Sequence, residues 1–297
     1  DFSDEDEDPY QCLRDSCYHG THVAATAAGN GRLKGVAPDA DIYAFKVFPL
    51  SYFDVIIKAI ERSYDLDQDG YIYGVDPEED NPEDILDVIS LSLGVDCNFY
   101  FGKYYNKYCG PNDIMSKAID TAVDNGVIAV VAAGNSGSNG ESTIGSPGTA
   151  RKAITVGATY KQDYFPFVLA RCYPPGKMTV CGVCSDEHTV ACNGKQDEVA
   201  FFSSQGPVTW IDSSLNQHTI IKPNVVAPGA EICAAYTGNQ YACASGTSMA
   251  TPIVSGSIAL LKQAHPTWSK EEIQSALESN ALDLGLDENI QGKGRIN

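Results

Sequence analysis

The chain has 297 residues, 43% of them hydrophobic and 20% charged, which suits one large α/β domain with a sizeable core. Its formal net charge of -19 argues against a nucleic-acid partner, since that binding needs lysine and arginine to neutralise phosphates. No apolar run is long enough to span a bilayer, and the acidic start, residues 1–8, is no signal peptide; it reads as the interior of a longer precursor.

In chain order, His19 opens a helix of small residues over 20–28. Residues 41–47 (DIYAFKV) read as a buried strand and 53–64 as a helix. An acidic stretch, about 65–87, then interrupts the approach to a strand over 88–93. Ile114, Ala118, Ile119, Ala122 and Val123 recur at helical spacing, with Asn112 as N-cap and Gly126 as the stop. Strands follow over 127–133 and 154–158, and a Cys-rich insertion without a clear period covers about 160–200. An apolar helix over 253–261 comes next, then a capping box at Ser269 and Glu272 with Trp268 and Ile273 as its staple. Alternating strands and helices predict a mostly parallel sheet with helices on both faces, in one domain over 1–297 that carries the two insertions.

The ten cysteines suggest an oxidising, extracellular compartment. Cys12 pairs by proximity with Cys17, Cys97 with Cys109, and Cys233 with Cys243 across a turn signal at Thr237-Gly238-Asn239. Cys172, Cys181, Cys184 and Cys192 could hold zinc, although disulfides fit the rest of the chain better.

Three motifs carry chemistry. In Gly246-Thr247-Ser248-Met249-Ala250-Thr251-Pro252, Ser248 falls at a helix N-terminus, where its own backbone N–H lacks a helical acceptor and small neighbours leave room for substrate. A nucleophilic serine also needs a base and donors for the oxyanion. His19-Gly20-Thr21-His22 offers the base, and Ala132-Ala133-Gly134-Asn135 ends the most apolar strand in a side-chain amide.

Together these resemble the subtilisin-like serine proteases, the subtilases. The likeness extends to segments 42–47, 90–94, 202–207 and 222–229, in family order. It implies a three-layer α/β fold and a serine endopeptidase that forms an acyl-enzyme, with Ser248 as nucleophile, His19 as base, His22 structural and Asn135 an oxyanion donor. Ser92, Leu93 and Gly94 would then pair with the peptide, with Ala132 and Gly134 on the opposite wall. The partners implied are polypeptide substrates and an absent pro-segment. The family's aspartate sits in a D-[ST]-G context on a strand before the histidine; Asp4, Asp6, Asp8 and Asp15 do not fit that context, so the aspartate is expected outside this chain, and both ends look cut. Without it, activity of this piece should fall by about 10⁴-fold, a figure taken from serine proteases of this kind. The competing readings are an inactive peptide-binding pseudoprotease and a calcium-dependent scaffold.

Two expectations remain. Asp65-x-Asp67-x-Asp69-Gly70 matches the start of an EF-hand-type loop, with the Tyr71 carbonyl and Asp76 as further ligands and Asp84 as an additional contributor, so structural calcium is expected. The proposed pocket walls are small and uncharged, which predicts preference for large apolar or aromatic residues on the acyl side of the cut; Glu141 is the nearest acidic candidate for the alternative, a basic preference.

Overall fold

The computed structural model describes residues 18–48, 52–72, 76, 81, 83–96, 110–160, 169–171, 178–179, 182–183, 189–191 and 198–297. Helices α1 (His19–Ala28) and α2 (Phe53–Glu61) precede strand β1 (Val88–Leu91). Helix α3 (Ile114–Asp124) leads into β2 (Ile128–Ala132) and β3 (Ile154–Thr159). Short strands β4 (Leu169–Arg171), β5 (Met178–Thr179), β6 (Gly182–Val183) and β7 (Thr189–Ala191) pair as β4 with β7 and β5 with β6. A hairpin, β8 (Val208–Ile211) and β9 (Gln217–Ile220), comes before β10 (Val225–Pro228). A second hairpin, β11 (Ile232–Tyr236) and β12 (Gln240–Ala244), feeds α4 (Thr247–Ala264), and α5 (Lys270–Ser279) and α6 (Glu288–Gln291) follow.

Strands β1, β2, β3 and β10 lie in that order and are all parallel. Every residue of β2 and β3 is buried, as befits parallel strands covered on both faces. The two-residue period sends Ile128 and Val130 into one layer with Val254 and Ile258 of α4 and Ile273 of α5. Ala129 and Val131 face the other layer, with Ile56 and Ile60 of α2 and Met115 and Ile119 of α3. The result is the expected three-layer α/β architecture.

Local chemistry explains where boundaries differ from the sequence reading. Asp113, not Asn112, caps α3, accepting the Ser116 N–H at 2.8 Å; Asn112 instead accepts from Arg151 at 2.7 Å. The capping box of α5 forms as expected. Residues 41–47 are not a strand of the sheet: they join no ladder with a described strand, and Ile42 and Tyr43 are exposed. The segment lines a cleft whose other side is β1, an edge strand among the described residues.

The β11–β12 hairpin turns at residues 237–239, where Gly238 and Asn239 adopt positive φ angles of 70° and 58°. Cys233 and Cys243 stand directly opposite and form a disulfide, as their spacing predicts. Cys12, Cys17, Cys97, Cys109, Cys172, Cys181, Cys184 and Cys192 lie outside the described residues. Among the described residues no helix is long and apolar enough to cross a membrane.

Candidate active site

Helix α4 begins where the sequence places the nucleophile. Its apolar face is held against the sheet by Met249, Ala250, Val254 and Ile258, all buried, so its N-terminus points along a fixed direction at the ends of β1 and β2. Helix α1 crosses it closely: a Cβ on Gly256 would stand 2.7 Å from Val36 Cβ and 3.0 Å from Ala27 O, so only glycine permits this approach. That packing brings His19, at the start of α1, into the same cleft as Ser248, Asn135 and Ser92. The cleft encloses about 1890 Å³, and Leu93, Gly94, Ala132 and Gly134 also line it.

The turn at Asn135 is locked to the turn at Ser248 through Thr247. The Thr247 hydroxyl accepts the Gly134 N–H at 3.2 Å and donates to Asn135 Oδ1 at 3.1 Å. Asn135 Oδ1 also accepts the Thr247 N–H at 2.9 Å. A backbone N–H can only donate, so these bonds fix which end of the amide is oxygen and leave Nδ2 as a donor facing elsewhere. Where Gly246 lacks a Cβ, that vacant position is 3.5 Å from Asn135 Nδ2 and 3.7 Å from Ser248 N. Asn135 Oδ1 lies 3.6 Å from the same position, so both ends of the amide and the Ser248 N–H border one small space beside Ser248. Among the described residues the Ser248 N–H, in the first turn of α4, has no acceptor.

Ser92 and Ser248 hold each other. The Ser92 hydroxyl donates to Ser248 O at 2.7 Å, and the Ser248 hydroxyl donates to Ser92 O at 3.3 Å. The first bond has a cause in the sequence. Ser248 O is the carbonyl that residue 252 would satisfy in a regular helix, and Pro252 has no N–H. Ser92 supplies the missing donor, so the residue expected only as a pocket wall also anchors the nucleophile's turn.

His19 is partly buried, and its pKa is lowered, first by loss of hydration and second by the neighbouring His22. Both effects favour the neutral imidazole, the form that accepts a proton. Among the described residues no carboxylate is hydrogen-bonded to its ring. His22 is fully buried, with Nε2 3.1 Å from Ala242 O on β12, and Tyr18 stacks on Tyr236 of β11 at 4.7 Å. The disulfide-closed hairpin therefore braces the start of α1 and leads within five residues into Ser248.

Three carboxylates converge in the acidic loop and at the approach to β1. Oxygens of Asp65, Asp67 and Asp84 all lie within 4.8 Å of one another. Asp84 is 1% exposed, and its Oδ2, like Asp65 Oδ1, is buried with no partner among the described residues. Three carboxylates gathered in this way, two of them with an orphaned oxygen, fit a hard cation that takes oxygen ligands. Asp69 and Asp76 are not in this cluster: Asp69 Oδ1 accepts the Tyr71 N–H at 2.8 Å, and Asp76 Oδ2 accepts the Ile72 N–H at 2.9 Å, both shaping the loop backbone.

The recess between the two walls is not uncharged. Asp96, two residues beyond Gly94, lines it, while exposed Glu141 does not. Asp96 and Thr247 line the cleft and were not singled out in the sequence. The available signals were the first acid after the Ser92-Leu93-Gly94 edge and a hydroxyl next to the nucleophile.

Comparison with known proteins agrees with this geometry. The model of the subtilase family matches residues 1–294. The chain is 30% identical over 318 residues to the serine protease AprX of Bacillus subtilis (strain 168), covering 100% of this chain and 59% of that protein. It is 31% identical over 305 residues to subtilisin E of the same organism, covering 100% and 58%. The solved structure of sphericase superposes with a TM-score of 0.67 at 28% identity, covering 100% of this chain and 82% of that one. The chain spans about three-fifths of the length of AprX and of subtilisin E. By the family match across almost its whole length, the chain belongs to the subtilase family.

Proposed function

We propose that this protein is a serine endopeptidase. Ser248 attacks the scissile carbonyl, His19 accepts its proton and returns it to the leaving amine, and the acyl-enzyme is then hydrolysed. The observation that carries this reading is the placing of two donors near Ser248: Asn135 Nδ2, whose orientation is fixed by the bonds of Oδ1 to Thr247, and the Ser248 N–H, which has no acceptor among the described residues. Both are held before substrate arrives, so they need no reorganisation when charge develops on the oxyanion. Ser92, Leu93 and Gly94 offer main-chain atoms to an extended substrate, facing Ala132 and Gly134. The carboxylate that orients His19 is assigned to an extended strand lying along the outer edge of β1, in the slot facing residues 41–47. The edge position of β1 and the shared lining of that slot support this.

Calcium belongs to the same proposal. Asp65, Asp67 and Asp84 would hold it, with the remaining ligands supplied by the loop that includes Asp69, Tyr71 and Asp76. Its contribution would be structural: it would neutralise clustered carboxylates and fix the approach to β1. Extracellular action is supported by the Cys233–Cys243 disulfide and by the relative named minor extracellular protease Vpr, of Bacillus subtilis (strain 168) and 28% identical to this chain.

The test is Asn135→Ala in the full-length protein. Loss of one such donor should lower kcat by about 10²–10³, a magnitude measured in subtilisin itself, with KM little changed. Unchanged kcat would remove Asn135 from the oxyanion site.

A further inference from the structure

We propose that Tyr236 is a positioning residue for the base: its ring, stacked on Tyr18, holds the start of α1 and so sets how His19 meets Ser248. The inference rests on the endopeptidase reading and adds to it a residue that does not line the cleft.

The start of α1 is poorly fixed by its own sequence. Tyr18, at the N-cap, has helical backbone angles, φ -86° and ψ -16°, and its side chain makes no capping bond. No acid stands in the first turn, where Gly20 and Thr21 are both weak helix formers. The first N–H groups of a helix have no helical acceptor in any case. His19 is the first helical residue, so the base moves with this turn.

What the local sequence omits, the β11–β12 hairpin supplies from far along the chain. Tyr236 stacks on Tyr18 with ring centroids 4.7 Å apart and planes 26° from parallel, a favourable offset pair. One helical turn on, His22 Nε2 donates to Ala242 O at 3.1 Å, since a carbonyl can only accept. Beyond the end of α1, the Arg32 N–H reaches the Tyr241 hydroxyl at 3.1 Å. The hairpin is itself held. Cys233 and Cys243 close it, the Glu231 N–H bonds the Ser245 hydroxyl at 2.9 Å, and the Gly246 N–H bonds Gly229 O at 2.8 Å. Ser248 follows two residues later. Base and nucleophile therefore share one frame, and the Tyr18–Tyr236 stack joins it at the residue next to His19.

Proton transfer from Ser248 to His19 needs reach and alignment, and a displacement of about 1 Å can cost about 10²-fold. Removing the Tyr236 ring takes away the platform under Tyr18 and frees the turn, while the substrate-binding segments 92–94 and 132–134 keep their place. The loss should therefore fall on kcat and spare KM.

The experiment compares the unaltered full-length protein with Tyr236→Ala, Tyr236→Phe, Tyr18→Ala and the double alanine variant. It reads kcat and KM on one peptide and the rate of fluorophosphonate labelling of Ser248. In Tyr236→Ala, kcat and labelling should fall together by about tenfold or more, with KM within about twofold. Tyr236→Phe keeps the ring and should stay near the unaltered protein. Tyr18→Ala should lose as much as Tyr236→Ala, and the double variant little more than either, since all three remove one contact. Burial, and then His22, lowers the His19 pKa, and a freed turn lets water back, so the acid limb of the kcat/KM profile should move to higher pH in Tyr236→Ala. Should Tyr236→Ala fold poorly, Tyr18→Ala against Tyr18→Phe carries the same comparison. Unchanged kcat in a folded alanine variant, a change confined to KM, equal losses in Tyr236→Phe, or additive losses in the double variant overturn the proposal while leaving the endopeptidase reading intact. An unaltered protein that neither cleaves the peptide nor labels at Ser248 overturns both.

Discussion

Replacing Ser92 by alanine tests how the nucleophile is held. The substitution leaves the main-chain edge and the acceptor Ser92 O in place and removes only the donor to Ser248 O, at 2.7 Å. That carbonyl lacks the donor a regular helix would supply, because residue 252 is proline. Leaving a fully buried carbonyl without a donor costs about 1–3 kcal/mol, and this one is partly buried, so Ser92→Ala should lower the free energy of unfolding by about 1 kcal/mol. The cause can be isolated. Pro252→Ala restores an N–H at the position where the helix would bond Ser248 O, so in that background Ser92→Ala should cost less than about 0.5 kcal/mol. Urea unfolding of the four variants, all carrying Ser248→Ala to prevent self-digestion, gives the cycle. With Ser248 restored, kcat should fall in Ser92→Ala and recover in the double variant. Equal costs of Ser92→Ala with and without Pro252 would refute the idea that Ser92 stands in for the missing helix donor.

Two further outcomes follow from buried charge. Chelation should lower the melting temperature of the unaltered protein and have little effect on Asp84→Asn, because a ligand that binds only the folded state stabilises it by mass action; equal melting with calcium and with chelator in the unaltered protein would contradict the Asp65–Asp67–Asp84 site. Lys222 is 2% exposed and donates to Ala153 O and Asn224 Oδ1, and burial lowers its pKa to about 7. The unfolded chain binds that proton up to the ordinary lysine range and the folded chain releases it near 7, so stability should rise from pH 7 towards pH 10, by up to about 1.4 kcal/mol per unit. The rise should vanish in Lys222→Met, measured in the Ser248→Ala background, and a slope shared by both proteins would dismiss Lys222 as its source.

The parts of the molecule that sequence alone made legible are those where one local signal decides the structure. Continuous apolar runs gave β2 and β3 because strands covered on both faces carry no polar side. The small-residue contexts of His19, Asn135 and Ser248 revealed a shared cleft because close approach of backbones requires small side chains. Other features depend on distant partners. Residues 41–47 have a strand's pattern yet join no ladder with a described strand. Asp69 and Asp76 fit a metal loop by spacing, whereas the carboxylates that converge are those of Asp65, Asp67 and the more distant Asp84. Asp96 meets Ser136 across 40 positions of sequence, and Ser92 meets Ser248 across 156, so no periodicity could announce either contact.

The central claim is that Ser248 is a nucleophile activated by His19 and not a helix-capping serine. Fluorophosphonate labelling of the full-length protein, with the modified peptide located by mass spectrometry, tests it directly. The account predicts one adduct, on Ser248, whose formation slows by several orders of magnitude in His19→Ala and is absent in Ser248→Ala. Failure of the folded, full-length protein to label, or an adduct on another serine that persists in Ser248→Ala, would contradict it.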